Sequence, residues 1–409
     1  MNFSELGLNP SIVTVLDANG YLEPTPIQAA AIPAILDGED ILAGAKTGTG
    51  KTAAFILPVI QKMAVSAESP EKQKIIKALI LTPTRELAQQ VNSSIKRYGK
   101  SAGVRSAVVY GGVGIGPQVE QIKKGVDLLV ATPGRLLDLH KKRVVNLRSL
   151  QFLIFDEADR MLDMGFRDEV KTVISKLPKR EQQPRQVMLF SATLNDQIYK
   201  FSKNLLNKPK LIEVDQRNSA SENVAQIVYN CDPERRFEIV SYLIKKRHWK
   251  QVMVFSRTKE GADKLAQYLQ LSGIQSEAIH ADRSQLQRDQ VLNQFRQGEL
   301  QVLVATDVAA RGIDIGSLSA VINLEIPFKA EDYIHRIGRT GRAGESGEAV
   351  TLLIEEENHL LEEIEILLDD RLPQQWLTGF EPDLTREINL GRKNSRSAQK
   401  KRAKKRALK

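Results

Sequence analysis

Four apolar residues, Phe152-Leu153-Ile154-Phe155, run straight into the acids Asp156-Glu157, with Asp159 two positions on. A run this short and this apolar reads as a strand buried within a sheet, and carboxylates at the C-terminal end of such a strand face the crevice where α/β sheets bind ligands. An acid there can hold Mg²⁺, and its neighbour can orient water for attack on a phosphate. Upstream, Ala45-Lys46-Thr47-Gly48-Thr49-Gly50-Lys51-Thr52 follows a second apolar stretch, Asp40-Ile41-Leu42-Ala43, and reads as a phosphate loop. Ala45 stands where a first glycine is often found. Gly48 and Gly50 still let backbone N–H groups turn toward phosphate oxygens, Lys51 would reach the β- and γ-phosphates, and the Thr52 hydroxyl would ligate Mg²⁺. The two stretches together imply hydrolysis of a nucleoside triphosphate.

The 409 residues suffice for two or three domains, with apolar and charged fractions (42% and 27%) ordinary for a soluble protein. No apolar run approaches the roughly 18 residues of a membrane helix, and Met1-Asn2-Phe3-Ser4-Glu5 lacks the basic start of a signal peptide. Cys231 is the only cysteine, which rules out an intramolecular disulfide and leads us to expect a cytoplasmic location. The net charge of +9 is local: residues 391–409 hold ten Lys or Arg and no acid, and without them the chain stands at −1. A run of cations of this kind serves nucleic acid more often than it is a merely solvated end.

Along residues 1–212, short apolar runs alternate with longer amphipathic stretches. The expected strands are Ala78–Thr82, Ser106–Tyr110, Asp127–Ala131, Phe152–Asp156 and Gln186–Ser191, an alternation that predicts a parallel sheet. Residues 213–224 are polar and aperiodic and read as a linker. A second series follows over 225–372, with strands expected at Gln251–Ser256, Gln275–His280, Gln301–Thr306, Ala320–Leu324 and Gly347–Ile354. Helices are expected at Gly261–Leu271 and Gln285–Gln297, and an acidic one over 355–370. Residues 373–409 form an extension that ends in the basic tail, which is too polar to pack a core. Only the first series carries a phosphate loop.

Three further stretches bear on chemistry. Gln28 lies just before the phosphate-loop strand, and its amide matches the N6/N7 edge of adenine, although a lone Gln is more often a surface residue. Ser191-Ala192-Thr193 ends the strand beside the acidic one and would either relay a hydrogen bond from Asp159 or simply cap a loop. His335-Arg336-Ile337-Gly338-Arg339-Thr340-Gly341-Arg342 carries three guanidinium groups in seven residues, a pattern suited to phosphate but also found in solvated basic loops.

With these stretches in place, the chain resembles the DEAD-box ATP-dependent RNA helicases over about residues 3–345. The motifs stand in family order: Gly20–Gln28 with Phe3 ahead of it, Ala45–Thr52, Pro83-Thr84-Arg85-Glu86-Leu87-Ala88, Gly111-Gly112, Thr132-Pro133-Gly134-Arg135, Asp156–Asp159 and Ser191–Thr193. The second half adds Val254–Thr258, Gln285–Arg288, Ala305–Asp314 and His335–Arg342. Among subfamilies the chain is most similar to bacterial RhlE-type members. Lys46 replaces the more usual Gln, and Ala281-Asp282-Arg283 replaces the commoner Gly-Asp-Leu after His280.

The resemblance implies an α/β fold of two tandem RecA-like domains, each a parallel sheet flanked by helices, followed by a disordered basic C-terminal tail. It implies ATP and Mg²⁺ as cofactors and RNA, single-stranded or in short duplexes, as partner. Adenine recognition falls to Gln28, with Phe3 and Tyr21 stacking on the base. Ala45, Thr47, Gly48, Thr49, Gly50, Lys51 and Thr52 surround the phosphates, while Thr52 and Asp156 hold the metal and Glu157 activates water. Asp314 contacts the ribose, and Arg339 and Arg342 the γ-phosphate. Asp159, Ser191, Thr193 and His335 couple hydrolysis to movement. RNA is held by Pro83, Thr84, Arg85, Gly112, Thr132, Arg135, Arg257, Arg288 and Thr306. These residues position a backbone without reading bases, and contacts to 2′-OH groups would favour RNA. A monomer acting on ribosomal precursors or in RNA decay, away from membranes, fits this picture. Two rivals stay open: an ATP-gated RNA clamp or annealer, and a DNA helicase.

Overall fold

The computed structural model describes residues 2–45, 48–65, 75–214, 224–310, 313, 315–316, 318–341 and 346–386. The chain divides near residue 217 into two compact units. Thr47, Asp314, Arg342, most of the expected linker and the basic tail lie outside the described residues.

The first unit is built on seven strands: β1 Ile41–Gly44, β2 Ala78–Leu81, β3 Ser106–Val109, β4 Leu128–Ala131, β5 Phe152–Phe155, β6 Gln186–Ser191 and β7 Lys210–Glu213. All pair in parallel, in the order β3-β4-β2-β5-β6-β1-β7. The central strands are apolar at nearly every position because helices cover both faces. Alternate side chains divide between two cores. Ala43, Ile80, Val130, Ile154 and Met188 pack with the helices Pro26–Leu36, Lys51–Val65 and Arg85–Gly99. Leu42, Leu79, Leu129, Leu153 and Leu189 face the opposite layer, which includes Leu136, Val170 and Val173. A one-residue slip in any strand would exchange these two sets.

The second unit repeats the scheme with β8 Val224–Asn230, β9 Val252–Ser256, β10 Ser276–Ile279, β11 Val302–Thr306, β12 Ala320–Asn323, β13 Gly347–Leu353 and β14 Gln374–Trp376. The order is β10-β11-β9-β12-β13-β8-β14, again all parallel. Val252, Val254, Val302, Val304, Ala320 and Ile322 build one core face. The sheets therefore match the two RecA-like domains that the sequence led us to expect.

The structure differs from the sequence reading at the sheet edges. Strands β7, β8 and β14 were not anticipated, and Glu213 and Val224, read as linker, belong to β7 and β8. In β7 only Ile212 is buried, and β14 exposes all three residues, so neither shows an apolar run. Their backbones are drawn in by ladder bonds to β1 and β8. The second unit also continues past 372: Leu377 and Phe380 join its core, the Phe380 ring 5.0 Å from that of Tyr242 and 4.4 Å from the Arg235 guanidinium. The acidic stretch divides into a short 3₁₀ turn, Glu355–Glu357, and a helix, Asn358–Leu368.

Asp40, at the mouth of β1, ties three parts of the first unit together. Its carboxylate accepts from Val187 N (2.9 Å), Asn207 N (2.7 Å) and both terminal nitrogens of Arg180 (2.7 and 3.0 Å). Asp40→Ala would leave two amides without their acceptor and strip Arg180 of its carboxylate partner, leaving it only backbone carbonyls. We expect a loss of about 2–4 kcal/mol from the first unit's stability, read as an earlier urea transition. An unchanged midpoint would show that the carboxylate does not pin the sheet.

Candidate nucleotide site and nucleic-acid edge

In the first sheet β1, β6 and β5 are neighbours, so the loops that leave their C-terminal ends meet. From β1 the chain turns through Gly48 (φ 89°) and Gly50 (φ 91°) into the helix Lys51–Val65, both glycines in the left-handed region that other residues avoid. A Cβ on Gly50 would lie 2.4 Å from Gln28 Nε2, so the close approach also requires glycine. Lys51 is buried, and its ammonium donates to the Ala45 carbonyl across the base of the loop. Burial lowers its pKa, while the carboxylates of Asp156, Glu157 and Asp159 oppose that shift. The helix start adds its own partial positive charge and amide donors on this side.

At the end of β5, Asp156 still donates its amide to Leu81 O (3.0 Å), and the chain then bends sharply at Glu157 (φ 53°, ψ 53°) into the helix Ala158–Asp163. A left-handed conformation at a non-glycine residue costs about 1–3 kcal/mol and is tolerated where surrounding contacts hold it. The holder is Arg160, whose Nη1 donates to Glu157 Oε2 at 2.9 Å, with both side chains almost fully buried. Asp159 Oδ2 accepts from Ala192 N (3.1 Å), Thr193 N (3.0 Å) and Thr193 Oγ1 (3.1 Å), and Ser191 Oγ donates to Thr193 O (2.7 Å). The hydroxyl stretch and the acidic stretch are thus joined by hydrogen bonds.

Burial raises the Asp156 carboxyl to about 7, with the Glu157 charge adding to the rise and Lys51 opposing it. A buried oxygen donor short of positive charge suits Mg²⁺, and Thr52, half-buried at the start of the helix Lys51–Val65, carries a second oxygen. That ion ordinarily takes one or two carboxylates and completes its shell with phosphate and water. Accordingly, among the described residues no group of three or more His, Cys, Asp or Glu is arranged as a protein cage for a metal.

Around the adenine-side motif the structure departs from expectation. Gln28 is buried, and its amide is already engaged: Oε1 accepts from Thr25 N (2.9 Å) and Nε2 donates to Gly50 O (3.1 Å). It clamps the helix Pro26–Leu36 to the phosphate loop. Phe3, expected to stack on a base, is 2% exposed and packs in the core with Leu6 and Leu8, because the turn Phe3–Leu6 folds its apolar side inward. Tyr21 is partly exposed, its ring edge-on to Tyr98 at 6.3 Å.

Farther along the same sheet, the ends of β2, β4 and β3 gather most of the RNA candidates of this unit. Thr84 caps the helix Arg85–Gly99 by accepting from Leu87 N (3.3 Å). The Arg85 guanidinium lies over Gly112 (φ 77°), so closely that a Cβ there would come within 2.4 Å of it. Arg135 donates to Val113 O (2.9 Å) at the start of the helix Pro133–Lys141, behind Thr132. Pro83 leads into the Thr84 cap.

In the second unit Thr306 ends β11, and Arg288 is buried on the helix Gln285–Gln297. Two arginines need correction. Arg336, grouped by sequence with Arg339 and Arg342, is 1% exposed and holds the unit together. It donates to both Asp307 oxygens (2.6 and 2.7 Å), to Asn323 Oδ1 (3.0 Å) and to Glu325 O (2.8 Å). Arg257, expected on RNA, donates Nε to Ile326 O (2.5 Å) and pairs through Nη1 with Glu357 (2.8 Å), which also binds Arg236. Its charge is spent inside the unit. Arg339 is buried with its carbonyl accepting from Leu318 N (3.2 Å), and His335 is half-buried on the helix Ala330–Ile337. Sequence reading missed Arg160 and Glu357. Arg160 carried a signal, three positions from Glu157 on one helical turn; Glu357 lies 100 residues from Arg257 and carried none.

Residues 25–201 match the model of the DEAD/DEAH box helicase family, and residues 235–344 that of the helicase conserved C-terminal domain. The DEAD-box ATP-dependent RNA helicase CshA of Streptococcus pneumoniae is 40% identical over 372 residues, 91% of this chain and 69% of that protein. The ATP-dependent RNA helicase RhlB of Xanthomonas axonopodis is 37% identical over 381 residues, 93% of this chain and 66% of that one. Among solved structures, Saccharomyces cerevisiae Dbp5 bound to RNA and ADP BeF3 is 28% identical with all of both chains covered, at a TM-score of 0.81. Mss116 bound to ssRNA and UDP-BeF is also 28% identical, over 93% of this chain and 80% of that one, at 0.83. With helicase models matching in both units, at the phosphate loop and the acidic strand end alike, the chain belongs to the DEAD-box RNA helicase family.

Proposed function

We propose that this protein hydrolyses ATP when it binds RNA and uses the cycle to separate short duplexes or remodel RNA–protein complexes with little sequence preference. The observation that carries this reading is the buried cluster at the ends of β1, β5 and β6. It offers a lysine for phosphate, a carboxylate and a hydroxyl for a divalent ion, and a glutamate held for one task. Asp156 and Thr52 would hold Mg²⁺, which would supply positive charge against the negative charge developing on the phosphates. Lys51 balances the β- and γ-phosphates, and the loop amides around Ala45, Thr47, Gly48, Thr49 and Gly50 cradle them. Glu157 takes a proton from the attacking water, and Arg160 fixes the direction of its carboxylate. Asp159 reports the state of that strand end to Ser191 and Thr193.

Gln28 contributes through the loop it clamps, with adenine contact by its remaining amide hydrogen. Tyr21 offers the accessible ring for the base. Asp314, Arg339 and Arg342 keep the ribose and γ-phosphate roles that the family resemblance gives them, and His335 its coupling role. On the RNA side, Pro83, Thr84, Arg85, Gly112, Thr132, Arg135, Arg288 and Thr306 bear on the sugar–phosphate backbone, which positions a strand without reading it. Kinship with RhlE-type members, a cytoplasmic site of action, and work on ribosomal precursors or in RNA decay are part of the same proposal.

Strand displacement tests the reading: the protein should release one strand of a short RNA duplex with ATP and fail on the matching DNA duplex. Equal release from both would favour the DNA-helicase rival, and ATP-dependent holding without release would favour the clamp. Glu157→Gln should cut kcat by roughly 10²–10⁴, the contribution of a general base, while leaving ATP binding intact. Arg160→Gln should lower kcat on the order of tenfold with KM for ATP little changed, as expected for loss of one charged hydrogen bond. A rise in KM instead would assign Arg160 to nucleotide binding. Removing residues 391–409 should flatten the salt dependence of RNA binding, since fewer counterions are then released; an unchanged slope would take the tail out of RNA binding.

A further inference from the structure

Phe328 is 71% exposed, and the structure around it is arranged to hold the ring outward. It follows Ile326 and Pro327, both buried, in the loop between β12 and the helix Ala330–Ile337. The Arg257 guanidinium lies against the ring at 4.4 Å from its centroid. That guanidinium is fixed in turn by Ile326 O (2.5 Å) and Glu357 (2.8 Å), and Arg257 N donates to Glu325 Oε2 (2.9 Å). One face of the phenyl ring is therefore backed by a half-buried cation held by two further contacts, and most of the ring is left in water. A phenyl this exposed gains little from folding beyond its contact with Arg257, and that contact is held by a network of charged side chains.

Its position indicates what it would meet. Strands β11, β9 and β12 are adjacent, with Thr306 paired to Ser256 and Asn323 to Phe255. Thr306, Arg257 and the Phe328 loop thus leave the same edge of three neighbouring strands, the C-terminal edge on which parallel sheets bind ligands. Arg257 offers little to a phosphate, because Nε and Nη1 are committed inside the unit and Nη2 is buried. The most exposed aromatic ring at this strand end is the one it supports, Phe328. A flat π-face needs no pocket to take a nucleobase, and any base satisfies it, so such a contact adds affinity without sequence preference.

We propose that Phe328 is a stacking platform for one base of single-stranded RNA, with Arg257 as the positioning residue beneath it. The assignment rests on the RNA-binding reading above and adds a base contact to a surface otherwise expected to touch only sugar and phosphate. It names a role for Arg257 other than the phosphate contact implied by family resemblance.

The test uses the full chain and two probes of equal length: a single-stranded RNA, and the same ribose–phosphate backbone carrying abasic sites throughout. Phe328→Ala should weaken binding of the ordinary RNA about tenfold, within the range of a lost aromatic stack, and leave abasic binding unchanged. Phe328→Leu, which keeps apolar bulk without the ring, should behave like Phe328→Ala. Phe328→Trp should retain affinity and show fluorescence quenching by ordinary RNA beyond that of the parent, which contains Trp249 and Trp376. Equal loss on both probes, or no loss on either, would overturn the assignment. RNA-stimulated ATP hydrolysis by the unaltered protein, run alongside, tests the parent reading separately: stimulation with no Phe328 effect removes only the stacking platform, whereas absence of stimulation removes the reading beneath it.

Discussion

Three carboxylates lie at one strand end in the first unit, Asp156, Glu157 and Asp159, none more than 5% exposed. Charge buried at that density is unfavourable unless it is matched, and the surroundings are organised around the matching. Lys51 comes from the adjacent phosphate loop, Arg160 from the same helical turn, and the Ser191–Thr193 strand end supplies donors to Asp159. Asp156 is left under-compensated, with its carboxyl raised to about 7. The protein thus folds with one acid short of positive charge, which the divalent ion of a metal–triphosphate complex would supply. Arg160 is the least expected member. It makes the strained turn at Glu157 sustainable and gives the carboxylate a fixed direction.

Such a cluster depends on the parallel sheet. Because every strand in each unit runs the same way, all the chemistry-bearing loops leave from one edge, and strand order decides which meet. In the first unit β5, β6 and β1 bring the nucleotide residues together, while β2, β4 and β3 gather the candidates for RNA. In the second, β11, β9 and β12 set Thr306, Arg257 and Phe328 on one edge. Arginines that look alike in sequence separate here: Arg336 and Arg257 are tied into carboxylate networks and stiffen the edge.

The sequence was most legible where packing is strongest. Strands such as β2 and β5 are apolar because both faces are covered, so their pattern is visible without a structure. Edge strands β7 and β14 are held by backbone bonds that leave no side-chain signature, and so they were missed. At the site, Gly48, Gly50 and Lys51 were readable because backbone conformation and charge allow few alternatives. Gln28 and Phe3 were not: a glutamine amide bonds equally well to a base or to Gly50, and a phenylalanine stacks equally well in a core. The Arg257–Glu357 pair joins residues far apart in the chain, which no local pattern can reveal.

The central claim is that the Asp156–Glu157 cluster hydrolyses ATP in response to RNA. ATP turnover measured at fixed low salt without nucleic acid, with single-stranded RNA and with DNA of the same sequence tests it most directly. Slow basal turnover, strongly stimulated by RNA and little by DNA, is the result this account predicts. Fast turnover without nucleic acid, or equal stimulation by DNA, would contradict it.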